Sequence, residues 1–430
     1  YIENMTFATT AGTSAVAITL ADANFVSVTG GTVSFASVAG AVTFDGDLEN
    51  DSALTITGGT GADSLIGTDT VAAGDTISGG NSADTIEGSK GGDTLTGGAG
   101  ADTFFYAAVA DSSGSTVDTI TDFTSGSDKI KITIDESSAT TAKTVVFTIN
   151  VGGTTSQATK QTAQDALTGN IGQMTYVTDT GTLWVNMNAD NLLTSLDLAI
   201  KINAGATATS TVATTDTIGV ITTGSGGDTV TGGAGADIIS TGAGADTVDG
   251  GLGADIITLG ASDSGADIVD FSGDGISTDV IKKFDTTEDK LSFDGLTGIT
   301  ATSGTAAPTD QGAGNEGADA TAALIDGTIY VVDDEAKPIL DGGASAVTDF
   351  TSMADVADYL GEAYTSTAAS DAAIFIINDP SNNASTSPDA YVYYFVEADG
   401  AASTINADEL TLIGKIHEEG LVVIVAGDIA

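Results

Sequence analysis

A glycine-rich phrase closed by aspartate recurs along this 430-residue chain, and no other sequence feature restricts its fold as strongly. Gly97-Gly98-Ala99-Gly100-Ala101-Asp102 returns as Gly232-Gly233-Ala234-Gly235-Ala236-Asp237 and as Gly250-Gly251-Leu252-Gly253-Ala254-Asp255. Looser copies end at Asp63, Asp84, Asp93, Asp228 and Asp246. The aspartates fall nine apart in two clusters: Asp75, Asp84, Asp93, Asp102, then Asp228, Asp237, Asp246, Asp255. Two positions after most of them stands a large apolar residue: Leu65, Ile77, Ile86, Leu95, Phe104, Val230, Ile239, Val248, Ile257.

Each letter of this phrase has a physical reading. Glycine permits turns at positive φ and close approach of carbonyl oxygens to an ion. Aspartate adds a hard anionic oxygen suited to Ca²⁺. The following Thr-Ile or Thr-Leu makes a short strand whose apolar residue points inward. The pattern is the nonapeptide of a parallel β-roll, in which successive copies lie on opposite faces of a flattened coil of about 18 residues. An ion then sits between turns two apart, shared by Asp84 with Asp102, Asp228 with Asp246, and Asp237 with Asp255. The candidate calcium ligands are Asp63, Asp75, Asp84, Asp93, Asp102, Asp228, Asp237, Asp246, Asp255 and Asp267. The turn glycines beside them are Gly79, Gly88, Gly97, Gly98, Gly100, Gly224, Gly226, Gly232, Gly233, Gly235, Gly242, Gly244, Gly250, Gly251 and Gly253. One site per pair of turns gives about four to eight ions. Without ions the turns stack carboxylates over little core, so folding and metal binding become one event.

Composition agrees. The net charge of −49 comes from 60 acidic residues against 11 lysines, with no arginine. Such a chain repels nucleic acid and anionic membrane surfaces. Acidity alone would suit disorder, but 41% hydrophobic residues oppose it. No cysteine is present, so calcium takes the stapling role of disulfides. No apolar run reaches membrane-spanning length. The chain opens at Tyr1 inside a strand-like phrase, which reads as a fragment or processed product.

The expected fold is all-β: a parallel β-roll or β-solenoid with calcium-binding turns, two roll-plus-cap copies and few short helices. Residues 1–57 read as a solenoid lead-in, with Val16/Ile18, Phe25/Val28, Val33/Phe35, Val42/Phe44 and Leu54/Ile56 in short strands; Val26, Phe35 and Phe44 keep the nine-residue step. Residues 58–135 form the first roll and cap, with a three-residue insertion between Asp63 and Asp75. Residues 136–222 form a β-rich module with a short helix and linker, 223–296 the second roll and cap, and 297–430 a C-terminal β-rich module. Each roll leads to a D-x-I-x-x-F phrase, Asp118 to Phe123 and Asp279 to Phe284, then five residues on to Asp128-Lys129-Ile130 and Asp289-Lys290-Leu291. An aromatic lid over the open coil would protect its apolar edge.

The duplication continues downstream. A short helix is expected near 156–168, and a second with Met353, Val356, Ala357 and Leu360 on one face. Hairpins follow at Met174–Val185 and Tyr391–Val396, then acidic turns (Asn186 to Asp190; Glu397 to Asp399) and last strands at 197–202 and 409–416. The acidic turns are open to two readings, further calcium or plain solvation. Segments 203–222 and 297–325 read as connecting loops.

The nonapeptides, the cap phrase and the lack of cysteine resemble RTX proteins, which leave Gram-negative cells by type I secretion. The tail from 350 to 430 further resembles the C-terminal end of RTX-type surface-layer proteins. The matching residues are Ala357-Asp358-Tyr359-Leu360, Tyr393-Tyr394-Phe395-Val396-Glu397 and the apolar stretch Leu421 to Ala430. The second roll-plus-cap copy departs from that pattern. The resemblance implies that the C-terminal stretch is a type I secretion signal; a buried last strand is the other reading.

RTX tails also accompany secreted proteases and lipases. Here H-E-x-x-H and G-x-S-x-G are absent, and the single histidine, His417, reads as an exposed loop residue. One tryptophan, Trp184, gives no aromatic sugar cleft for paired carboxylates to serve. The expectation is a non-enzymatic, extracellular, calcium-dependent structural protein of the cell surface. Its partners are further copies of itself in a lattice or filament, with cell-surface polysaccharide as a second candidate, and neither nucleic acid nor an inserted membrane. An adhesin and the tail of a secreted hydrolase are the alternatives.

Overall fold

The computed structural model describes residues 4–8, 14–21, 30–50, 52–70, 74–139, 141–148, 156–157, 167–168, 170–177, 180–188, 190, 192–202, 214–260, 265–271, 277–293, 296–297, 299, 322–323, 328–332, 351–354, 356–357, 360, 364–365, 371–378, 390–397, 405–418, 424 and 429. The chain divides into two units, one of residues 1–134 and 144–220, the other of 135–143 and 221–430.

In the first unit, alternate strands are dealt to two parallel sheets, as a flattened coil requires. One sheet stacks Asn4–Ala8, Gly31–Ser37, Leu54–Thr57, Thr76–Asn81, Thr94–Ala99 and Asp118–Ile120. The other stacks Val16–Thr19, Val42–Gly46, Ser64–Thr68, Thr85–Glu87, Thr103–Tyr106 and Lys129–Asp135. Register converts the nonapeptide's apolar slot into continuous columns. Val33, Ile56, Ile77, Leu95, Ile120 and Ile202 are successive partners on one side. Phe44, Leu65, Ile86, Phe104 and Ile130 are partners on the other. All eleven of these side chains are buried. Neighbouring threonines (Thr55, Thr76, Thr94, Thr119) form a parallel outward column, where β-branched residues suit a pleated surface.

The strands between Asn4 and Thr57 join the same two sheets. Phe35 stacks on Phe7 at 4.8 Å and meets Phe44 at 5.8 Å, so aromatic bulk fills these rungs. Phe25, Val26, Val28 and the insertion at 71–73 lie outside the described residues.

The cap phrase proves to be two more rungs rather than a lid. Asp118–Ile120 pairs in parallel with Thr94–Ala99 on one side and with Leu198–Ile202 on the other. Phe123 is buried 6.4 Å from Phe104, so the aromatic does pack inward as expected. From Leu198–Ile202 the sheet turns antiparallel through Thr182–Val185 to Ile171–Val177, the expected hairpin, with Met174 opposite Val185. Val177, Leu193 and Leu167 bury together with Trp184 packed against them. The helix expected near 156–168 fails at its start, because Ser156–Gln157 is a strand on Ile171–Val177; residues 158–166 lie outside the described residues.

The second unit repeats the plan. Val230, Val248, Val269 and Leu291 form one inward column, and Ile239, Ile257, Ile281 and Ile416 the other. Here Asp279–Phe284 carries the meander, pairing in parallel with Leu410–Glu418, which turns antiparallel to Ala390–Val396 and Ala372–Asn378. Met353, Val356, Ala357 and Leu360 pack one helical face on Phe375, Tyr393 and Phe395, as the spacing requires. Two expectations are corrected. The segment 203–222 is not all loop, because Thr217–Thr222 is a strand with alternate residues buried, Ile221 among them. His417 lies in strand Leu410–Glu418, partly buried opposite Lys282, because the final strand continues through His417 to Glu418 in the sheet. Most of 297–325 and of the acidic turn at 397–399 lies outside the described residues.

Candidate metal centre: two aspartate ladders

Every nonapeptide aspartate stands where a glycine turn enters a strand, and its carboxylate reaches back one coil. Oδ1 of Asp102 accepts the backbone N–H of Asp84 at 2.9 Å, and Oδ1 of Asp93 that of Asp75 at 2.6 Å. In the second unit Asp246 accepts from Asp228 and Asp255 from Asp237, both at 2.7 Å. Asp84 likewise serves Asp63 at 2.8 Å, and Asp267 serves Asp246 at 2.9 Å. Asp63 and Asp75 extend the ladder into the lead-in, to the N–H groups of Val42 and Leu54. Each aspartate carbonyl in turn accepts from the next coil, as Asp84 does from Thr103 at 2.8 Å. The three aspartate pairs expected to share ions are therefore direct ladder neighbours.

The second carboxylate oxygen explains the first glycine of the phrase. A Cβ on Gly58, Gly67 or Gly232 would fall 2.7, 2.6 or 2.8 Å from Oδ2 of Asp63, Asp75 or Asp237. Gly79, Gly88, Gly97 and Gly250 stand in the same relation to Asp84, Asp93, Asp102 and Asp255. None of these has positive φ, so their role is room for an oxygen rather than backbone freedom. Positive φ belongs to the next glycines, with Gly98 at +104° and Gly251 at +89°, where a side chain would also strike the carbonyl of Gly80 or Gly233 one coil back. Gly100, Gly244 and Gly253 pack likewise on Ser82, Gly226 and Gly235, and Gly242 on Gly224.

The Oδ2 atoms of Asp84, Asp93, Asp228 and Asp255 are buried with no hydrogen-bond partner among the described residues. Burying a carboxylate oxygen without a partner is costly. Burial pushes Asp84 up to about 7, with like charge from Asp63 and Asp102 adding to it, and lifts Asp75 and Asp255 to about 6. Burial raises Asp93 and Asp118, with like charge from Asp75 and Asp111 adding to it at Asp93 and like charge from Asp93, Asp111 and Asp75 adding to it at Asp118. A divalent cation removes both penalties. No group of three acidic or histidine side chains converges among the described residues, so an ion here takes backbone carbonyls of the turns together with one or two carboxylates. That donor set, all hard oxygen, fits Ca²⁺.

Comparison with protein families gives two matches. Residues 4–212 match the model described as Peptidase M10 serralysin C terminal, and residues 222–257 match the RTX calcium-binding nonapeptide repeat, in four copies. The chain is an RTX protein. The first match covers most of the first unit and includes residues 135–143 of the second, and the second match falls on the opening coils of the second unit. The nonapeptides bind calcium, and the two matches together mark a calcium-binding protein exported by a type I system. The match to the peptidase family is to its C-terminal region alone. Comparison with curated proteins finds no match.

Four ladder residues of this RTX protein escaped the spacing rule. Asp118 and Asp128 accept the N–H groups of Asp93 and Asp102 at 2.8 and 3.0 Å; Asp279 and Asp289 accept those of Asp255 and Asp267 at 2.9 and 3.1 Å. Their signal was the D-x-I or D-K-[I/L] phrase itself, read as a cap because the step had lengthened to 25, 26, 24 and 22 residues. Asp122 adds a different contact, taking the N–H groups of Gly97 and Gly98 at 2.9 and 2.8 Å and closing the last glycine turn. The second copy has Lys283 there.

The acidic turn at 186–190 is engaged internally. Asp197 accepts from Met187 and Thr194, Asp190 from Leu192, and the Asn186 amide donates to the carbonyls of Asn170 and Asp190.

Proposed function

We propose that this protein is an extracellular, calcium-dependent structural component that forms a cell-surface layer or fibre after type I secretion. The carrying observation is that aspartate ladders run through the coils of both units, so its acidic residues serve cohesion. The chain crosses the exporter unfolded, where calcium is scarce. Outside, calcium at about 10⁻⁴ to 10⁻³ M, the range of extracellular modules, loads the turns and locks the coils. Calcium at exposed acidic edges then bridges neighbouring copies. Neither H-E-x-x-H nor G-x-S-x-G occurs in the chain, which supports a non-enzymatic role. Electron microscopy of the purified protein in millimolar calcium tests the proposal: ordered arrays or filaments that vanish in chelator are expected, and dispersed monomers under all conditions would overturn it.

One observation favours a second reading. The match of residues 4–212 to a serralysin C-terminal region suits the non-catalytic tail of a secreted hydrolase. That reading requires a catalytic domain encoded in the same gene and casein hydrolysis by its product.

A further inference from the structure

Outside the ladders, a cleft of about 420 Å³ opens along the turns of the first unit, lined by Asp45, Asp47, Asp69, Glu87, Asp111 and Lys90. These come from successive coils, and strand register sets Asp45, Ile66 and Glu87 side by side. Five carboxylates face one ammonium, which is already committed to Asp69 at 2.6 Å. An independent observation points to a ligand. Ser89 also lines the cleft and is only 4% exposed, yet its Oγ has no hydrogen-bond partner among the described residues. Its backbone sits at φ +61°, in the left-handed region where the other nonapeptides have glycine. A serine held there with a buried, unanswered hydroxyl offers an oxygen to whatever fills the cleft.

We infer that this cleft is a separate divalent-cation site, built from side-chain carboxylates and the Ser89 hydroxyl, with Lys90 as a built-in competitor. No three carboxylates converge closely enough to strip an ion of water, so the ion keeps part of its hydration shell. The cleft volume accommodates that shell, and Ca²⁺ accepts water among its ligands. Lys90 neutralises only one of five negative charges and leaves the rest to the ion.

The probe is Mn²⁺, which broadens nearby methyl signals in NMR, added to the full calcium-loaded chain with labelled alanine methyls. Ala107, Ala108 and Ala110 line the cleft, whereas Ala83 and Ala101 lie in nonapeptide turns and report on the ladders separately. Mn²⁺ is expected to broaden the three cleft methyls in the wild type and to spare them in Asp47→Asn/Glu87→Gln. Ala83 and Ala101 should respond alike in both proteins. Lys90→Met, which removes a competing charge, should lower the Mn²⁺ concentration for half-broadening about tenfold. Sharp cleft methyls in the wild type, or equal broadening in the double variant, would overturn the inference. An unchanged Mn²⁺ requirement in Lys90→Met would do the same, even if the double variant does not fold.

Discussion

The ladder aspartate divides its labour between two oxygens. In Asp84, Asp93 and Asp255, Oδ1 ties one coil to the previous one through a backbone N–H, and Oδ2, tucked against glycine with no hydrogen-bond partner among the described residues, is the atom that calcium relieves. Protons and calcium compete for that oxygen. Burial raises Asp75, Asp84 and Asp255 above their ordinary 3.8, so the folded, metal-free chain binds protons that the unfolded chain releases. The resulting stabilisation is complete below the unfolded value and is lost as pH rises through about 6 to 7. Metal-free protein should therefore hold more residual β structure at about pH 5 than at about pH 8, where it is largely unfolded. Saturating calcium should shrink that difference. Circular dichroism checks this; metal-free protein that gains β signal between those pH values would contradict it. Residue identities on the ladder were legible wherever the step was nine. Asp118, Asp128, Asp279 and Asp289 were not, because their longer loops hide an identical hydrogen bond.

At the scale of an element, the nonapeptide is a turn and a three-residue strand that cannot stand alone. The turn is tight enough that a neighbouring carbonyl occupies the space a side chain would need. Gly251→Ala adds a left-handed strain of about 1–2 kcal/mol and a collision with Gly233 of the adjacent coil. Gly30, at φ +86°, has nothing within 4 Å and would carry the strain alone. Gly251→Ala should raise the calcium concentration for half-folding more than Gly30→Ala does, about threefold against less than about twofold. Equal shifts would show that coil contact at the turn is unimportant. Strand alternation exposed the coils, the hairpins and the helical face at Met353–Leu360 to sequence reading. It misjudged Thr217–Thr222, whose Thr-Ile-Gly-Val-Ile-Thr phrase lies among residues that resemble a linker, and His417, whose acidic neighbours suggested a loop. In both, pairing with an adjacent strand decided the outcome, and sequence spacing carries no record of that partner.

Across the whole molecule, weak sites become decisive by number. At about ten times its dissociation constant, one calcium ion contributes about 1.4 kcal/mol to folding. About six such ions contribute about 8 kcal/mol, the full stability of an ordinary domain. Opposed to them is a net charge of −49, which self-repulsion turns against the compact state when calcium leaves. The most direct measurement is a calcium titration of the metal-free, full chain at neutral pH, followed by far-ultraviolet circular dichroism. The calcium-bridged ladders predict little β signal without calcium and a steep, cooperative gain near about 10⁻⁴ to 10⁻³ M. A metal-free chain with the same spectrum and the same melting temperature as the calcium-loaded one would contradict them.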